Sequence, residues 1–427
     1  MAVGIGVLGA GTVGGTLIRR LTQEGAAVAA KAGLDLEVRR VAVRSLSRER
    51  PFALPPGMLT DRPWEVVEDP AVELVVEVMG GRDPAFDLVR AALERGKPVV
   101  TANKELIAAR GPELLAAAAH TGVPLLFEAA VGGAIPIIRP LTETLAGERI
   151  ERVMGIVNGT TNFILTRMAD QGSDYADALA EAQQLGYAEA DPTADVSGAD
   201  AASKAAILAS LAFGTWVGPD RVFREGIEGI SPIDLAFAEE LGYAVRLLAI
   251  AQRTDGGVSA RVHPAMVPVN HPLAAIRGAT NAILLQGPAV GELLFSGPGA
   301  GGEPTATAVL GDVIDAARDL RSGSQVAPRI SFHPGAVVDA AEVPTRWYLR
   351  LEVADKPGVL ARIATAFADA GVSIRSVWQE GRGDEATLLI VTHEALEKHQ
   401  RAAVAALRDL EVVEEGAAAI RVEGETE

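Results

Sequence analysis

The feature that most narrows the fold lies within the first fourteen residues. Val3 to Leu8 alternates apolar residues with glycine and runs into Gly9, Gly11 and Gly14, a G-x-G-x-x-G turn that opens a stretch of helical periodicity. A strand, a glycine turn and a helix in that order suit a parallel sheet. The first glycine permits the tight turn and the second lets backbone approach a pyrophosphate. The third lets the helix pack close on the strand, and the helix N-terminus, at Thr12 and Val13, attracts phosphate. Taken alone, the spacing also suits a glycine-rich turn in some other parallel sheet.

The next hundred residues extend the pattern. A helix is predicted from about Thr12 to Ala32, a strand over Leu36 to Val43, and a strand buried on both faces over the apolar run Leu74 to Met79. A helix over Asp87 to Arg95 and a strand over Pro98 to Thr101 follow. Alternating strands and helices imply α/β architecture, a parallel sheet covered on both faces. Past about Pro136 the pattern is mixed, with strands at Arg152 to Val157, Val245 to Gln252 and Val258 to Met266, and helices at Asn162 to Asp170, Tyr175 to Leu185 and Gly198 to Gly214. A helix over Ala306 to Leu320 is expected to return to the first domain. From Arg346 the order strand, helix, strand, strand, helix, strand suits a small ferredoxin-like βαββαβ domain. The expected division is 1–136 (with about 303–322), 137–302, a Gly-, Pro- and Ala-rich linker over 323–345, and 346–427.

Charge and composition remove several function classes. The formal net charge of -17 argues against nucleic acid and anionic membrane as partners. With no cysteine, thiolate catalysis, disulfides and Cys-based zinc sites are excluded. The apolar stretch Leu114 to Ile138 is broken by His120, Glu128 and two prolines, so it does not read as a membrane span. The first residues show no basic segment ahead of an apolar run, so no secretory leader is expected and the expected location is the cytoplasm.

The end of the second strand bears on the choice of dinucleotide. A carboxylate there holds the ribose 2′-hydroxyl of NAD, whereas an arginine suits the 2′-phosphate of NADP. This strand ends Val43-Arg44-Ser45, and Asp35 and Glu37 come too early. NADP is therefore favoured over NAD, with Arg44 as the phosphate partner; a solvated loop arginine is the other reading.

The densest chemistry lies between Ala182 and Lys204. Glu189, Asp191, Asp195 and Asp200 bring four carboxylates together, and Asp200 and Lys204 share a face of an apolar predicted helix. Charges on such a helix are expensive unless paired or functional. A lysine amine can take the hydroxyl proton as hydride leaves the carbon of an alcohol, and its protonated form serves the reverse reaction. Nearby carboxylates can hold a substrate ammonium group. Residue types alone leave open a structural ion pair beside an acidic loop, and a hard-cation site.

This segment, A-x-x-x-G-Y, then D-P, then D-V-x-G-x-D-x-x-x-K, resembles the homoserine dehydrogenase signature. Thr101-Ala102-Asn103-Lys104 and Asn158-Gly159-Thr160-Thr161-Asn162 are similar to two further segments of that family, in the expected order. The resemblance covers nearly the whole chain. It implies that Lys204 is the general acid/base, that Glu189, Asp195 and Asp200 lie at the substrate with Asn158 and Thr160, and that Lys104, beside Thr101, stands at the nicotinamide as a second essential lysine. Without the family, Lys104 reads as a first-turn helix lysine and the 158–162 segment as a helix cap. Gly299 to Glu303 resembles a family loop near the nicotinamide, which adds Gly302 to the cofactor set. Glu128 to Ile135 resembles a loop whose backbone carbonyls hold a monovalent cation (Na+ or K+), with Glu128, Val131, Gly133 and Ile135 as ligands.

At the C-terminal end, Asp355-Lys356-Pro357-Gly358-Val359-Leu360 at a helix entrance, then Gly371 to Ile374 and Gln379, resembles an ACT domain. Free backbone amides at such an entrance suit an amino-acid carboxylate. The resemblance implies Asp355, Gly358, Val359 and Gln379 as effector contacts, threonine as inhibitor, and pairing across subunits in a homodimer or homotetramer; a ligand-free dimerisation module is the alternative. The reaction implied interconverts L-homoserine and L-aspartate 4-semialdehyde with NAD(P). Two rivals are a dehydrogenase for another small hydroxy acid, which would have no ammonium for the acidic loop to hold, and a dinucleotide and amino-acid sensor without turnover.

Overall fold

A computed structural model describes residues 2–50, 52, 54–323, 329–382, 385–414 and 417–424. Residues 324–328 of the expected linker and 425–427 of the expected last domain lie outside them. The chain forms two compact units, Met1–Ile150 with Ala206–Pro219 and Gln286–Pro334, and Glu151–Ala205 with Asp220–Leu285 and Gly335–Glu427.

The parallel sheet of the first unit is built of β1 (Val3–Leu8), β2 (Leu36–Ala42), β3 (Leu59–Thr60), β4 (Leu74–Glu77), β5 (Val99–Thr101) and β6 (Leu125–Leu126). They lie parallel in the order β3-β2-β1-β4-β5-β6, a doubly wound sheet whose strand order reverses between β1 and β4. All of β1 is buried, and its glycines have a packing reason. A Cβ on Gly4 would sit 2.0 Å from the Ala71 carbonyl oxygen, and one on Gly6 2.5 Å from the Val66 side chain. At Gly4 and Gly6 the strand therefore presents bare backbone beneath residues 66–72. The helical stretch expected as one piece is two helices, Thr12–Gln23 and Gly25–Ala32, with the break at Glu24-Gly25; glycine is a poor helix interior. The helix Gly302–Ser322 contributes Ala306, Val309, Val313 and Ala317 to the same core as Val3, Val7, Leu17 and Val41.

The second unit is built on β7 (Arg152–Ile156), β8 (Tyr243–Thr254), β9 (Gly257–Pro268), β10 (Thr280–Gly287), β11 (Pro344–Val353), β12 (Ile374–Arg382), β13 (Glu385–Thr392) and β14 (Ala418–Val422), in the spatial order β10-β7-β8-β9-β14-β11-β13-β12. From β11 onward, with helices Val359–Asp369 and Glu397–Arg408, the topology is βαββαβ around Trp347, Leu349, Ile363, Phe367, Ile390 and Leu407. Strand β14 pairs antiparallel with β11 on one side and parallel with β9 on the other, Ala265 opposite Arg421, so one sheet runs through both parts of this unit. Among the described residues, no helix is long and apolar enough to cross a membrane.

Candidate active site

The glycine turn sits at the C-terminal edge of β1, beside the reversal in strand order, where ligands bind in such sheets. Gly9 has φ +101°, and a Cβ on it would meet the Val78 carbonyl oxygen at 2.8 Å. A Cβ on Gly14 would lie 2.1 Å from the Gly9 carbonyl oxygen, whereas one on Gly11 meets nothing within 4 Å. Gly11 is also the N-cap of Thr12–Gln23 and supplies no side chain to its first amides. The turn thus combines close backbone packing with an open approach to a helix N-terminus, which fits a pyrophosphate. Gly302 begins a second helix over the first, its Cα facing Thr16 Oγ1 and Thr12 closely enough that a Cβ would come within 3.0–3.1 Å. Arg44 is exposed two residues beyond β2, in a loop that also carries Arg48 and Arg50.

Thr101 ends β5 fully buried, and its hydroxyl donates to Glu77 Oε2 at 2.6 Å. Asn103 donates its backbone N–H to Thr101 Oγ1 (3.0 Å) and its side-chain amide to the Gly81 carbonyl (2.6 Å), and its Oδ1 caps the helix Lys104–Thr121 through the Leu106 amide. Lys104 is therefore the first residue of a helix held by a chain of hydrogen bonds that ends on Glu77. Glu77 also accepts from the Met79 amide (2.8 Å); burial raises its pKa above the ordinary carboxylate value, partly offset by these donors. Sequence reading passed over Glu77 inside an apolar run, although a lone carboxylate between Val76 and Val78 was the available signal.

In the loop 128–135, the Glu128 carboxylate accepts from the backbone amides of Ile137 (2.6 Å), Ile138 (2.8 Å) and Arg139 (2.9 Å), which leaves its carbonyl as the group a cation would use. Gly132 and Gly133 both take positive φ, and a Cβ on Gly133 would meet the Gly299 carbonyl at 2.5 Å, so only glycine fits beside the second glycine loop. Val131 and Ile135 are buried. Among the described residues no cluster of three or more His, Cys, Asp or Glu could hold a metal ion.

In the second unit, Asn158 caps the helix Gly159–Gln171, its Oδ1 accepting from the Thr161 amide at 2.9 Å. Its amide nitrogen donates to Asp195 Oδ1 (2.7 Å) and Asp200 Oδ2 (2.9 Å). Lys204 Nζ donates to the same Asp200 oxygen and to the Val157 carbonyl, both at 2.6 Å. The Lys204 and Asp200 side chains are 12% and 10% exposed, so the pair is largely shielded yet reachable. Four residues singled out from sequence are thus joined by direct hydrogen bonds. Thr160 Oγ1 donates to the Tyr187 carbonyl at 2.6 Å and so ties the loop before Glu189 to the helix start. Glu189 itself is exposed, its carbonyl accepting from Gln183 at 3.1 Å. Asp191 turns away to cap Thr193.

At the C-terminal helix entrance, Gly358 has φ +93° and is the N-cap of Val359–Asp369, with no side-chain cap. Asp355 and Gly358 are exposed, Val359 is buried, and Gln379 is exposed on β12.

Residues 136–314 match the family described as homoserine dehydrogenase, residues 9–128 match its NAD-binding domain, and residues 347–412 match the ACT domain. A homoserine dehydrogenase of Corynebacterium glutamicum is 48% identical over 427 residues, covering 99% of this chain and 96% of that one. The chain belongs to the homoserine dehydrogenase family. The crystal structure of a homoserine dehydrogenase from Thiobacillus denitrificans superposes with a TM-score of 0.93 at 42% identity, covering 99% of each chain. A hyperthermophilic archaeal homoserine dehydrogenase, solved in complex with NADPH, matches with a TM-score of 0.62 at 30% identity over 75% of this chain and 98% of that one. Membership makes the chain an NAD(P)-dependent oxidoreductase that interconverts L-aspartate 4-semialdehyde and L-homoserine, with an ACT domain consistent with allosteric regulation. The two rival readings, another hydroxy-acid dehydrogenase and a sensor without turnover, are set aside.

Proposed function

We propose that this enzyme works in the cytoplasm with NADPH in preference to NADH, and that Lys204 is its proton donor in aldehyde reduction. The observation that carries the second claim is the shielded Lys204–Asp200–Asn158–Asp195 network. An ammonium group has three N–H donors. Asp200 and the Val157 carbonyl accept two, and the third serves the oxygen of the substrate carbonyl. Asp200 holds the donor in one rotamer, and Asn158, bridging both aspartates, fixes their separation. Asp195, with Glu189 on the adjoining loop, supplies the negative charge that receives the substrate ammonium. Thr160 keeps that loop against the helix start. Lys104 serves as the second lysine beside the nicotinamide, oriented by Thr101 and Asn103.

The cofactor set is Gly9, Gly11, Thr12, Val13, Gly14, Thr101, Lys104 and Gly302, with Arg44 on the 2′-phosphate. Bound NADPH supplies hydride to the aldehyde carbon. The preference rests on a loop with three arginines and one carboxylate after β2, and the NADPH complex of the archaeal relative agrees with it. Backbone carbonyls of Glu128, Val131, Gly133 and Ile135 hold a structural Na+ or K+. Threonine binds at Asp355, Gly358, Val359 and Gln379 and inhibits. The protein is a homodimer or homotetramer; β12 supports this as a nine-residue sheet-edge strand that exposes Val377 and Trp378. The working domains are 1–136 with about 303–322, 137–302, and 346–427 after the linker 323–345.

The test is the loss of absorbance of NADPH and of NADH, in parallel, with L-aspartate 4-semialdehyde, with and without L-threonine. Faster oxidation of NADPH and inhibition by threonine are expected. Equal rates would remove the role given to Arg44, and insensitivity to threonine would remove the effector assignment.

A further inference from the structure

The last strand of the ACT domain reaches the substrate segment through a short, continuous set of contacts. Arg421 on β14 is fully buried, its side chain 1% exposed. It donates to Glu397 of the ACT helix at 2.6 Å, lies over the Trp347 ring at 4.5 Å, and donates through Nη1 to Glu225 Oε2 at 2.9 Å. Glu225 does not belong to the ACT domain. It follows the short strand Phe223–Arg224, which pairs with β9, and its amide donates to the Val262 carbonyl at 2.8 Å.

The residues after Glu225 pack backbone to backbone on the segment that carries the proposed substrate carboxylates. The Ile227 amide donates to the Val196 carbonyl at 3.0 Å. A Cβ on Gly226 would lie 2.3 Å from that same carbonyl oxygen and 2.9 Å from the Ser197 Cα, and one on Gly198 would lie 3.4 Å from the Glu225 carbonyl. At Gly226 the contact is backbone on backbone, with no side chain to absorb a shift, and at Gly198 the Val262 side chain packs beside it, 3.3 Å from where a Cβ would lie. A displacement of residues 225–227 therefore passes directly to Val196 and Gly198, which flank Ser197 between Asp195 and Asp200. Interiors packed to this density transmit displacement rather than dissipate it.

We propose that Glu225 and Arg421 are positioning residues for the reaction: through their ion pair, the ACT domain's last strand sets the backbone that holds Asp195 and Asp200 in register with Asn158. The proposal rests on the substrate-site reading given above. It also gives an amino acid bound to the ACT domain a route to the substrate carboxylates that does not pass through the dinucleotide fold.

Glu225→Gln in the full-length enzyme is the informative variant. The Glu225 side chain is 44% exposed, so the substitution leaves no buried hole, and Arg421 keeps Glu397. Exchanging a charge-assisted for a neutral hydrogen bond should raise the KM for L-aspartate 4-semialdehyde about three- to tenfold. The KM for NADPH and the thermal unfolding temperature should stay at their wild-type values. A merely structural role would lower stability or move both KM values together, and either result, or an unchanged KM for the aldehyde, would overturn the proposal. Lys204→Ala in the same assays separates the two readings. If it keeps turnover, the site assignment itself is wrong. If it loses turnover while Glu225→Gln behaves as wild type, only the positioning role is overturned.

Discussion

Two glycines three residues apart should fail in opposite ways when replaced by alanine. Gly11 has φ -76°, which any residue adopts, and its added Cβ meets no protein atom within 4 Å. Gly11→Ala should therefore cost the fold little, about 0.5–1 kcal/mol for a poorer N-cap. The methyl group would project into the space proposed for the pyrophosphate. Steric overpacking of about 1–3 kcal/mol corresponds to roughly a 5- to 150-fold loss of NADPH affinity. Gly14→Ala places its Cβ 2.1 Å from the Gly9 carbonyl oxygen and 2.9 Å from Val78. Helix and strand must separate, so its dominant effect should be on stability, about 1–3 kcal/mol or more. Titration of NADPH fluorescence together with thermal unfolding distinguishes the two. If Gly11→Ala binds NADPH within twofold of wild type, the pyrophosphate does not approach this backbone. If Gly14→Ala melts at the wild-type temperature, the close helix–strand packing has been misjudged.

Further outcomes follow from the same contacts. Arg44→Ala should raise the KM for NADPH about tenfold or more and leave that for NADH within twofold, read from initial rates; equal changes would remove the 2′-phosphate role. Glu77→Ala strips the acceptor from the buried Thr101 hydroxyl; an unsatisfied buried group costs about 1–3 kcal/mol, and kcat should fall with Lys104 loosened, whereas wild-type kcat and melting together would show that Glu77 holds nothing. Acid should destabilise the second unit in two stages. Burial holds the pKa of His263 down to about 3, below its ordinary value of 6.5, so the unfolded chain binds the extra proton and stability falls as pH drops below about 6.5. Glu423 and Glu397 are lowered to about 2, against their burial, by Arg261 and Arg152 and by Arg421 respectively, so the stability they confer is present above about 4.5 and is lost as pH falls towards 2. Urea midpoints at pH 7, 5.5, 4 and 3 should fall throughout, most steeply below 4.5; a flat profile would contradict these ion pairs.

The parts of the molecule legible in sequence are those where local chemistry and global packing coincide. The glycine turn is readable because Gly9 and Gly14 are each demanded by a backbone approach a few residues away in sequence or one strand away in space. The Asp200–Lys204 pair is readable because helical spacing alone puts both on one face, and no other charge lies on the helix Ala199–Phe213. What escaped depends on residues far apart in the chain. In sequence Glu77 is one more position in an apolar strand; what sets it apart is the hydroxyl of Thr101, twenty-four residues on, which donates to it. The Val157 carbonyl has no side-chain signature at all. The join between β14 and β9 and the ion pair of Arg421 with Glu225, 196 residues apart, follow from sheet topology that no local pattern encodes. The family resemblance supplied the roles proposed for Lys104, which residue type alone makes a first-turn helix lysine, and for the 128–135 loop, where ligation by backbone carbonyls leaves little side-chain signature.

The central claim is that Lys204 handles the proton in a site prebuilt by Asn158, Asp195 and Asp200. Its most direct test is Lys204→Ala, measured for NADPH binding by fluorescence and for turnover of L-aspartate 4-semialdehyde under single-turnover conditions. Wild-type binding with turnover reduced by a factor of about 10²–10⁴ is expected, the usual contribution of a general acid. Turnover within a few-fold of wild type would show that the proton comes from elsewhere.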